Sequence, residues 1–186
     1  MIYEYGDMFS IYDSTDLFVI TTNSTIKSNG ALVMGRGIAK QVRDKFKDVD
    51  KDIGAFIYEI CGSEGLYGFR PSPNFPQGKL GIFQVKYHYA DKASLTLIHA
   101  STVMLRDWAK EHSDIRIDMN YPGIGYGGLS IITVEPFVQM LPDNVHVWRF
   151  EKPKVVKPKK IQGYTPTPDD FVEMVNEVWD FADGMP

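Results

Sequence analysis

The sequence predicts an α/β fold in which the strands of a mostly parallel sheet alternate with helices. Along the first 150 residues, apolar β-rich runs alternate with helical patterns, which is typical of βα-repeating chains. Two glycine-rich stretches, the first glycine loop at 29–42 and the second at 121–130, lie at strand-to-helix junctions. With 186 residues and 44% hydrophobic content, the chain is long enough to bury one sizeable core. We therefore expect a single α/β sandwich with an extension.

The first half of the pattern begins with a buried strand and ends with a second strand. The run LFVIT at 17–21 is continuously apolar, as expected of a parallel strand buried on both faces. From Gly37 a helix is predicted, and residues 49–60 predict a second one. The Gly/Pro/Ser-rich residues 62–79 predict a loop with one short strand, and LGIFQV at 80–85 predicts the next strand. The apolar face of the first helix comprises Ile38, Ala39, Val42 and Phe46.

The second half repeats the alternation. A long helix is predicted over 92–111, and the run at 115–119 alternates strictly, a pattern that alone suggests a half-exposed strand. A further helix is predicted from near Thr133, where Pro136 is acceptable because it would lie in the first turn. VHVWRF at 145–150 predicts the last strand of the sheet. The two helices bury stripes of residues at helical spacing: Leu97, Ile98, Ser101, Leu105 and Trp108 in the first, and Val134, Phe137, Val138 and Leu141 in the second.

Beyond residue 150 the composition changes. Residues 151–166 are a basic, proline-containing linker, and residues 167–186 predict a tail with a short helix capped at Thr167. An apolar stripe in this tail docks either on the chain's own core or on a partner; it comprises Phe171, Met174, Val175 and Val178.

Composition excludes several classes of function. The formal net charge is −4, so no global basic field attracts nucleic acid, although a local groove is possible. Cys61 is the only cysteine, which excludes an internal disulfide and fits a reducing compartment. No apolar run approaches the length of a membrane span, and the N-terminus lacks a signal-peptide pattern. We therefore expect a soluble, cytoplasmic monomer that makes no membrane contact.

The spacing of the four histidines does not predict a metal site. His88, His99, His112 and His146 show no ligand spacing such as HExxH. We expect neither a metal nor a cofactor.

The glycine loops admit several interpretations. Each precedes a helix N-terminus, whose unpaired N–H groups and positive dipole end can hold phosphate, so the pair could grip a diphosphate from two sides. Gly30 to Gly37 resembles a nucleotide-binding G-x-x-x-x-G loop, but Arg36 stands in place of its lysine. Gly123, Gly125 and Gly128 match a dinucleotide fingerprint, yet no βαβ units follow residue 150 to complete such a fold. A third interpretation is that the glycines serve only tight turns and close packing.

An ordered series of motifs resembles the macro domain, a family that binds ADP-ribose. The series covers residues 1–150 and consists of Gly6–Phe9 after a short first strand, Asn23 after LFVITT, Met34–Ala39 and Pro122–Gly128 opening helices, and the terminal strand with VWRF. Its M-G-x-G-I-A form is most similar to the branch holding phage proteins, ADP-ribose-1″-phosphate phosphatases, terminal ADP-ribose glycohydrolases and antitoxins that strip ADP-ribose from DNA. The resemblance implies a three-layer α/β/α sandwich with a mostly parallel mixed central sheet.

The same resemblance implies binding roles. Asp7 would accept a hydrogen bond from the adenine amino group, the Met8 backbone would complete the base recognition, and Phe150 would stack on the adenine. Glycine amides of both loops would face the phosphates, and Asn23 would orient the distal ribose. The implied ligand-binding residues are Asp7, Met8, Asn23, Met34, Gly35, Arg36, Gly37, Ile38, Pro122, Gly123, Ile124, Gly125, Tyr126, Gly127, Gly128 and Phe150.

Catalysis would depend on Lys86 and Asn23. Lys86 ends the strand LGIFQV and resembles a catalytic lysine of the antitoxin branch. The sequence departs from the terminal glycohydrolases just after the last glycine of the second loop, where Leu129 and Ser130 replace their acidic partner. The resemblance thus implies a hydrolase acting on ADP-ribose-1″-phosphate or on a mono-ADP-ribosyl group of a macromolecule. The alternative is a reader that binds ADP-ribose without turnover.

Overall fold

The computed structural model describes residues 1–71 and 78–150. In this part of the chain the elements are β1 (Ile2–Tyr5), β2 (Leu17–Thr22), α1 (Gly37–Lys45), α2 (Val49–Cys61), β3 (Phe69–Pro71), β4 (Leu80–Gln84), α3 (Leu95–Glu111), β5 (Ile117–Asn120), α4 (Ile131–Val138) and β6 (Val145–Arg149). Short 3-10 helices cover Met8–Ile11 and Gly125–Gly127. The predicted alternation of strands and helices is confirmed.

The strands form one six-stranded sheet in the order β1-β6-β5-β2-β4-β3. All neighbouring pairs are parallel except β3 with β4, so the sheet is mixed and mostly parallel, as predicted. β1 pairs with β6, which brings Ile2 opposite His146. Because five strands run the same way, their carboxyl ends meet at one edge of the sheet, where such folds bind ligands.

Helices cover both faces of this sheet. Alternate residues of β2 point to opposite sides: Phe18 and Ile20 pack with α1 and α2, while Leu17 and Val19 pack with α3 and α4. The continuous apolar run of β2 thus reflects burial on two faces rather than one. The described residues form a three-layer α/β/α sandwich, as the resemblance implied.

Two helix starts differ from the sequence prediction because serine caps set them. Ser94 accepts a hydrogen bond from the Leu97 N–H, so α3 begins at Leu95 rather than at residue 92. Ser130 accepts from the Thr133 N–H, so α4 begins at Ile131.

The earlier start of α4 places Pro136 sixth in the helix, and its prediction in the first turn was wrong. Pro136 is exposed, so water can reach the carbonyl that loses a donor, and the helix ends two residues later.

β5 is more deeply buried than its alternating sequence indicated. Ile117, Asp118 and Met119 are all fully buried. The carboxylate of Asp118 accepts two hydrogen bonds from the Arg116 guanidinium, at 2.8 and 2.9 Å, and one from the Trp148 indole N–H at 2.7 Å. These bonds compensate the cost of burying the charge. The strand is therefore central despite its polar residue.

The predicted linker at 151–166 and the predicted tail at 167–186 lie outside the described residues. No helix in residues 1–71 and 78–150 combines the length and apolar character that crossing a membrane requires.

Candidate functional site

A cleft of about 500 Å³ opens at the carboxyl edge of β2, β4 and β5. Its volume lies in the range of small-molecule sites. It is lined by Thr21, Thr22, Asn23, Val33, Gly35, Arg36, Gly37, Ile38, Ala39, Val85, Lys86, Tyr89, Ala90, Asn120, Gly123, Ile124, Tyr126 and Gly127. Both glycine loops therefore face one cavity, as expected for two junctions on one edge of a sheet.

The first glycine loop delivers the N-terminus of α1 to the cleft. Gly37 has a φ of +59°, a conformation that favours glycine, and α1 starts there. Arg36 occupies the N-cap position without a side-chain capping bond. Since the first N–H groups of a helix have no intrahelical acceptor, the amides at this end are available to a ligand. Met34 differs from its neighbours because its side chain is buried in the core beneath α1.

The second glycine loop forms a compact turn. Gly123, Gly125 and Gly128 all have positive φ, between +60° and +75°. The Gly127 N–H donates to the Ile124 carbonyl at 3.1 Å, and the Gly128 N–H donates to the Gly125 carbonyl at 3.0 Å. The amides of Gly127 and Gly128 are thus engaged within the turn, although Gly127 itself lines the cleft. Glycine serves two purposes here, the turn geometry and a bare surface toward the cavity.

Lys86 connects the end of β4 to this turn. Its Nζ donates a hydrogen bond to the Tyr126 carbonyl oxygen at 3.0 Å. Burial lowers the pKa of the Lys86 amine, and the nearby Arg36 charge lowers it further, while Asp91 opposes the shift. The amine is therefore held in the cleft and releases its proton more readily than a solvated lysine.

Asn23 lies at the end of β2 with both ends of its amide engaged. Its Nδ2 donates to the Val33 carbonyl at 2.8 Å, and its Oδ1 accepts from the Thr25 N–H at 2.9 Å. These bonds fasten the end of β2 to the segment that leads into the first glycine loop. The oxygen retains a second lone pair for a ligand.

Asp7, Met8 and Phe150 lie apart from the lining of the cleft. Asp7 and Phe150 follow the ends of β1 and β6, which are neighbours in the sheet. The Asp7 carboxylate accepts from the Phe9 N–H at 2.9 Å and caps a 3-10 turn, while the Met8 side chain is buried. Phe150 is 74% exposed, so it is not a core aromatic. These residues share an edge of the sheet with the cleft: β6, which precedes Phe150, is two strands from β2, and β1, which precedes Asp7 and Met8, is three strands from it.

Among the predicted site residues, the cleft brings together Asn23, Gly35, Arg36, Gly37, Ile38, Lys86, Gly123, Ile124, Tyr126 and Gly127. It is not lined by Asp7, Met8, Met34, Pro122, Gly125, Gly128 or Phe150. The sequence analysis missed several polar and apolar lining residues, of which Asn120 is the most informative. Asn120 ends β5, and its amide bonds both the N–H and the hydroxyl of Thr21 at the end of β2. Its position at a strand end, matching that of Asn23, was the available signal.

The charge inside the cleft contrasts with that of the whole chain. Arg36 and Lys86 line it, and no carboxylate of residues 1–71 or 78–150 does so, although the chain has a formal net charge of −4. The same part of the chain contains no cluster of three or more His, Cys, Asp or Glu residues that could hold a metal. The cleft is therefore suited to an anionic ligand of small-molecule size.

Solved structures with the same fold are macrodomains. The macrodomain of Thermus aquaticus DarG is 22% identical, with a TM-score of 0.59 over 81% of this chain and 97% of that one. The macrodomain of Mycobacterium tuberculosis DarG is also 22% identical, with a TM-score of 0.59 over 81% and 99% of the two chains. A Thermosipho africanus DarTG in complex with ADP-ribose is 18% identical, with a TM-score of 0.56 over 80% of this chain and 41% of that one.

Neither a protein-family model nor a curated protein sequence matches the chain. The structural similarity establishes that the chain has the macrodomain fold.

Proposed function

We propose that this protein binds ADP-ribose in the cleft and hydrolyses an ADP-ribosyl derivative, either ADP-ribose-1″-phosphate or a mono-ADP-ribosyl group on a protein or nucleic acid. The observation that carries the proposal is the cleft itself: it lies between two glycine loops, contains Arg36 and Lys86, and is lined by no carboxylate of the described residues. The choice of ligand is supported by the macrodomain fold of the DarG structures and by the similarity to a DarTG that was solved with ADP-ribose.

The diphosphate is proposed to lie at the N-terminus of α1. The free amides at this end and the bare surface of Gly35 allow phosphate oxygens to approach the backbone. The second glycine loop, through Gly127 and Ile124, bounds the opposite side. Positive charge from Arg36 completes the site.

The adenine is proposed to lie toward β1 and β6. There Asp7 is exposed and can accept a hydrogen bond from the amino group, with the Met8 backbone beside it. Phe150, 74% exposed, offers a ring face for stacking. The ligand would thus run along the edge of the sheet from β6 toward β4.

The distal ribose is proposed to lie beside Asn23 and Lys86. The Lys86 ammonium can stabilise negative charge that develops on the leaving oxygen as the bond to C1″ breaks. Its uncharged amine, favoured by the lowered pKa, can instead add to C1″ of a ring-opened ribose. The bond from C1″ to the leaving group then breaks as a Schiff base forms, and water hydrolyses the Schiff base to ADP-ribose and the free amine. Asn23 would hold the ribose hydroxyls through its free lone pair.

A reader that binds ADP-ribose without turnover is the second candidate. Two observations favour it: no carboxylate of the described residues lines the cleft to act as a general base, and the Asn23 amide already makes two hydrogen bonds to the backbone.

The working unit is proposed to be residues 1–150, acting as a monomer in the cytoplasm. The single cysteine, Cys61, fits a reducing compartment.

The deciding experiment measures binding and turnover separately, on the full chain. ADP-ribose should bind and raise the melting temperature, because a ligand specific to the folded state stabilises it. AMP should do so much less, since it lacks the second phosphate and the distal ribose. Stabilisation by ATP with magnesium, but none by ADP-ribose, would reject the proposed ligand.

Turnover is then tested with Lys86→Ala on ADP-ribose-1″-phosphate, a mono-ADP-ribosyl peptide and a mono-ADP-ribosyl oligonucleotide. We expect a loss of about 10²–10³ in rate with little change in affinity. The control is Lys110→Ala, which removes an exposed lysine near the far end of α3. An unaltered rate in Lys86→Ala would refute the catalytic role, whereas binding without turnover in the parent protein would favour the reader.

A further inference from the structure

Two exposed side chains meet across the mouth of the cleft. The Arg36 guanidinium carbon lies 5.3 Å from the centroid of the Tyr126 ring, within the range of a cation–π contact. Arg36 belongs to the first glycine loop and Tyr126 to the second, and both line the cavity. The contact therefore joins the two walls of the cleft.

The backbone on each side of this contact is built alike. Arg36 lies between Gly35 and Gly37, and Tyr126 lies between Gly125 and Gly127. Gly37 and Gly125 both have a φ near +60°, which other residues rarely adopt. Each side chain thus stands on a turn that glycine makes possible, with no neighbouring Cβ beside it to cover the cavity.

Arg36 has no anionic partner in residues 1–71 and 78–150. By contrast, Arg43 on α1 and Arg116, just before β5, each pair with an aspartate. A guanidinium held only by an exposed aromatic face is weakly bound. It can form charge-assisted hydrogen bonds to a phosphate in the cleft and remain above the same ring.

We propose that Arg36 and Tyr126 form a clasp that closes over a bound diphosphate and slows its release. In the free protein the clasp bridges the mouth of the cleft. In the complex Arg36 contacts the diphosphate, and the Tyr126 ring keeps the guanidinium positioned over it. Tyr126 is thus a positioning residue that acts through Arg36. The inference rests on the proposed function, because it takes ADP-ribose or another nucleoside diphosphate as the occupant of the cleft.

The test measures association and dissociation rates of ADP-ribose, ADP and AMP for the full chain, Arg36→Ala, Tyr126→Ala and the double variant. We expect ADP-ribose and ADP to dissociate about fivefold to tenfold faster from Tyr126→Ala, and at least as fast from Arg36→Ala. The double variant should release them no faster than Arg36→Ala alone, because the ring acts through the guanidinium. AMP, which lacks a diphosphate, should show much smaller changes.

Two further variants separate the clasp from general charge and folding effects. Tyr126→Phe keeps the ring face and should restore most of the retention lost in Tyr126→Ala. Lys40→Ala removes a cation one turn further along α1, where Lys40 pairs with Asp44, and should leave release rates unchanged. All variants should unfold at nearly the parent temperature, because Arg36 and Tyr126 are exposed.

If the increase in dissociation rate of the double variant equals the product of the increases in the two single variants, the residues act independently and the clasp is overturned. So would an unchanged dissociation rate in Tyr126→Ala. If the parent protein binds neither ADP-ribose nor ADP, the proposed function itself fails and the clasp with it. If the parent protein binds ADP-ribose and the alanine variants release it at the parent rate, the clasp is rejected but the proposed function is not.

Discussion

Gly35 is the residue at which the cleft can be probed with the least disturbance of the fold. A Cβ added there meets no atom within 4 Å, and its φ lies outside the left-handed region. The comparable change at Gly127 would place a Cβ 3.3 Å from that of Ala93, so packing and ligand effects would be mixed. Gly37 and Gly125 have positive φ and would be strained by any side chain.

We therefore predict that Gly35→Val weakens ADP-ribose binding at least about tenfold while the melting temperature changes by no more than about 2 °C. The branched side chain would occupy the surface that the phosphate is proposed to approach. Calorimetric titration and thermal unfolding of the same preparation check both parts. Parent-like affinity in the folded variant would mean that phosphate does not approach the backbone at this point.

At the scale of elements, Asp118 connects β5 to β6 through Trp148 and to the residue before β5 through Arg116. Burial raises the pKa of Asp118, but the hydrogen bonds from Arg116 and Trp148 outweigh burial, so the pKa lies below its ordinary value. A carboxyl group with a depressed folded-state pKa stabilises the protein above its unfolded pKa, about 3.9, and loses that contribution as the pH falls through the folded value.

We predict that Asp118→Asn lowers the free energy of unfolding at pH 7 by about 1–3 kcal/mol, less than for a fully buried pair because Arg116 is 39% exposed. The difference in unfolding free energy between parent and variant should narrow as the pH falls below about 5, because the unfolded carboxyl group takes up its proton before the folded one does. Urea unfolding at pH 7, 5 and 3 measures this gap. A gap independent of pH would mean that the charge of Asp118 contributes nothing.

β5 also shows what the sequence can and cannot predict about elements. The apolar run of β2 predicted a strand buried on both faces, because such burial leaves an unbroken hydrophobic pattern, and the run of β4 predicted a further strand. Asp118 concealed the same burial in β5, since its partner Trp148 lies thirty residues away and the pairing is set by the tertiary fold. The start of α4 was missed because Ser130 was not taken as its cap. Strand order and the antiparallel β3 depend on long-range pairing that local patterns do not encode.

The candidate site, too, could be predicted from the sequence only in part. The glycine loops were predicted because glycine marks special backbone positions locally. Thr21 and Asn120 were not, since ordinary polar residues at strand ends become lining only when the sheet brings β2 and β5 together. Likewise the contact between Arg36 and Tyr126 joins residues ninety positions apart in the chain.

At the scale of the molecule, the chain is acidic but its cleft is not. The proposed ligand, ADP-ribose, carries negative charge on its diphosphate. The distant field of a protein with net charge −4 would oppose its approach, while Arg36 and Lys86 in the cleft would attract it at close range. Close contacts are expected to dominate because separated charges are screened over about 8–10 Å at moderate salt.

We predict that ADP-ribose affinity falls by about twofold to fivefold between about 50 mM and about 500 mM sodium chloride. The dependence should be weaker in Arg36→Ala, which lacks one of the attracting charges. Titrations at constant pH across the salt series provide the measurement. An affinity that increases with salt would mean that repulsion by the whole molecule prevails over the cleft.

The sheet order has a consequence for how the chain is assembled during synthesis. Of the described strands β1 is translated first, yet its parallel partner β6 begins at Val145, and Ile2 pairs only with His146. The N-terminal strand must therefore leave the ribosome and wait, unpaired in the sheet, while every other strand described here is translated. β2, β4 and β5 can pair among themselves before that point. Among the described strands, the first to be synthesised is thus among the last to be incorporated, and the described sheet is complete only when β6 emerges.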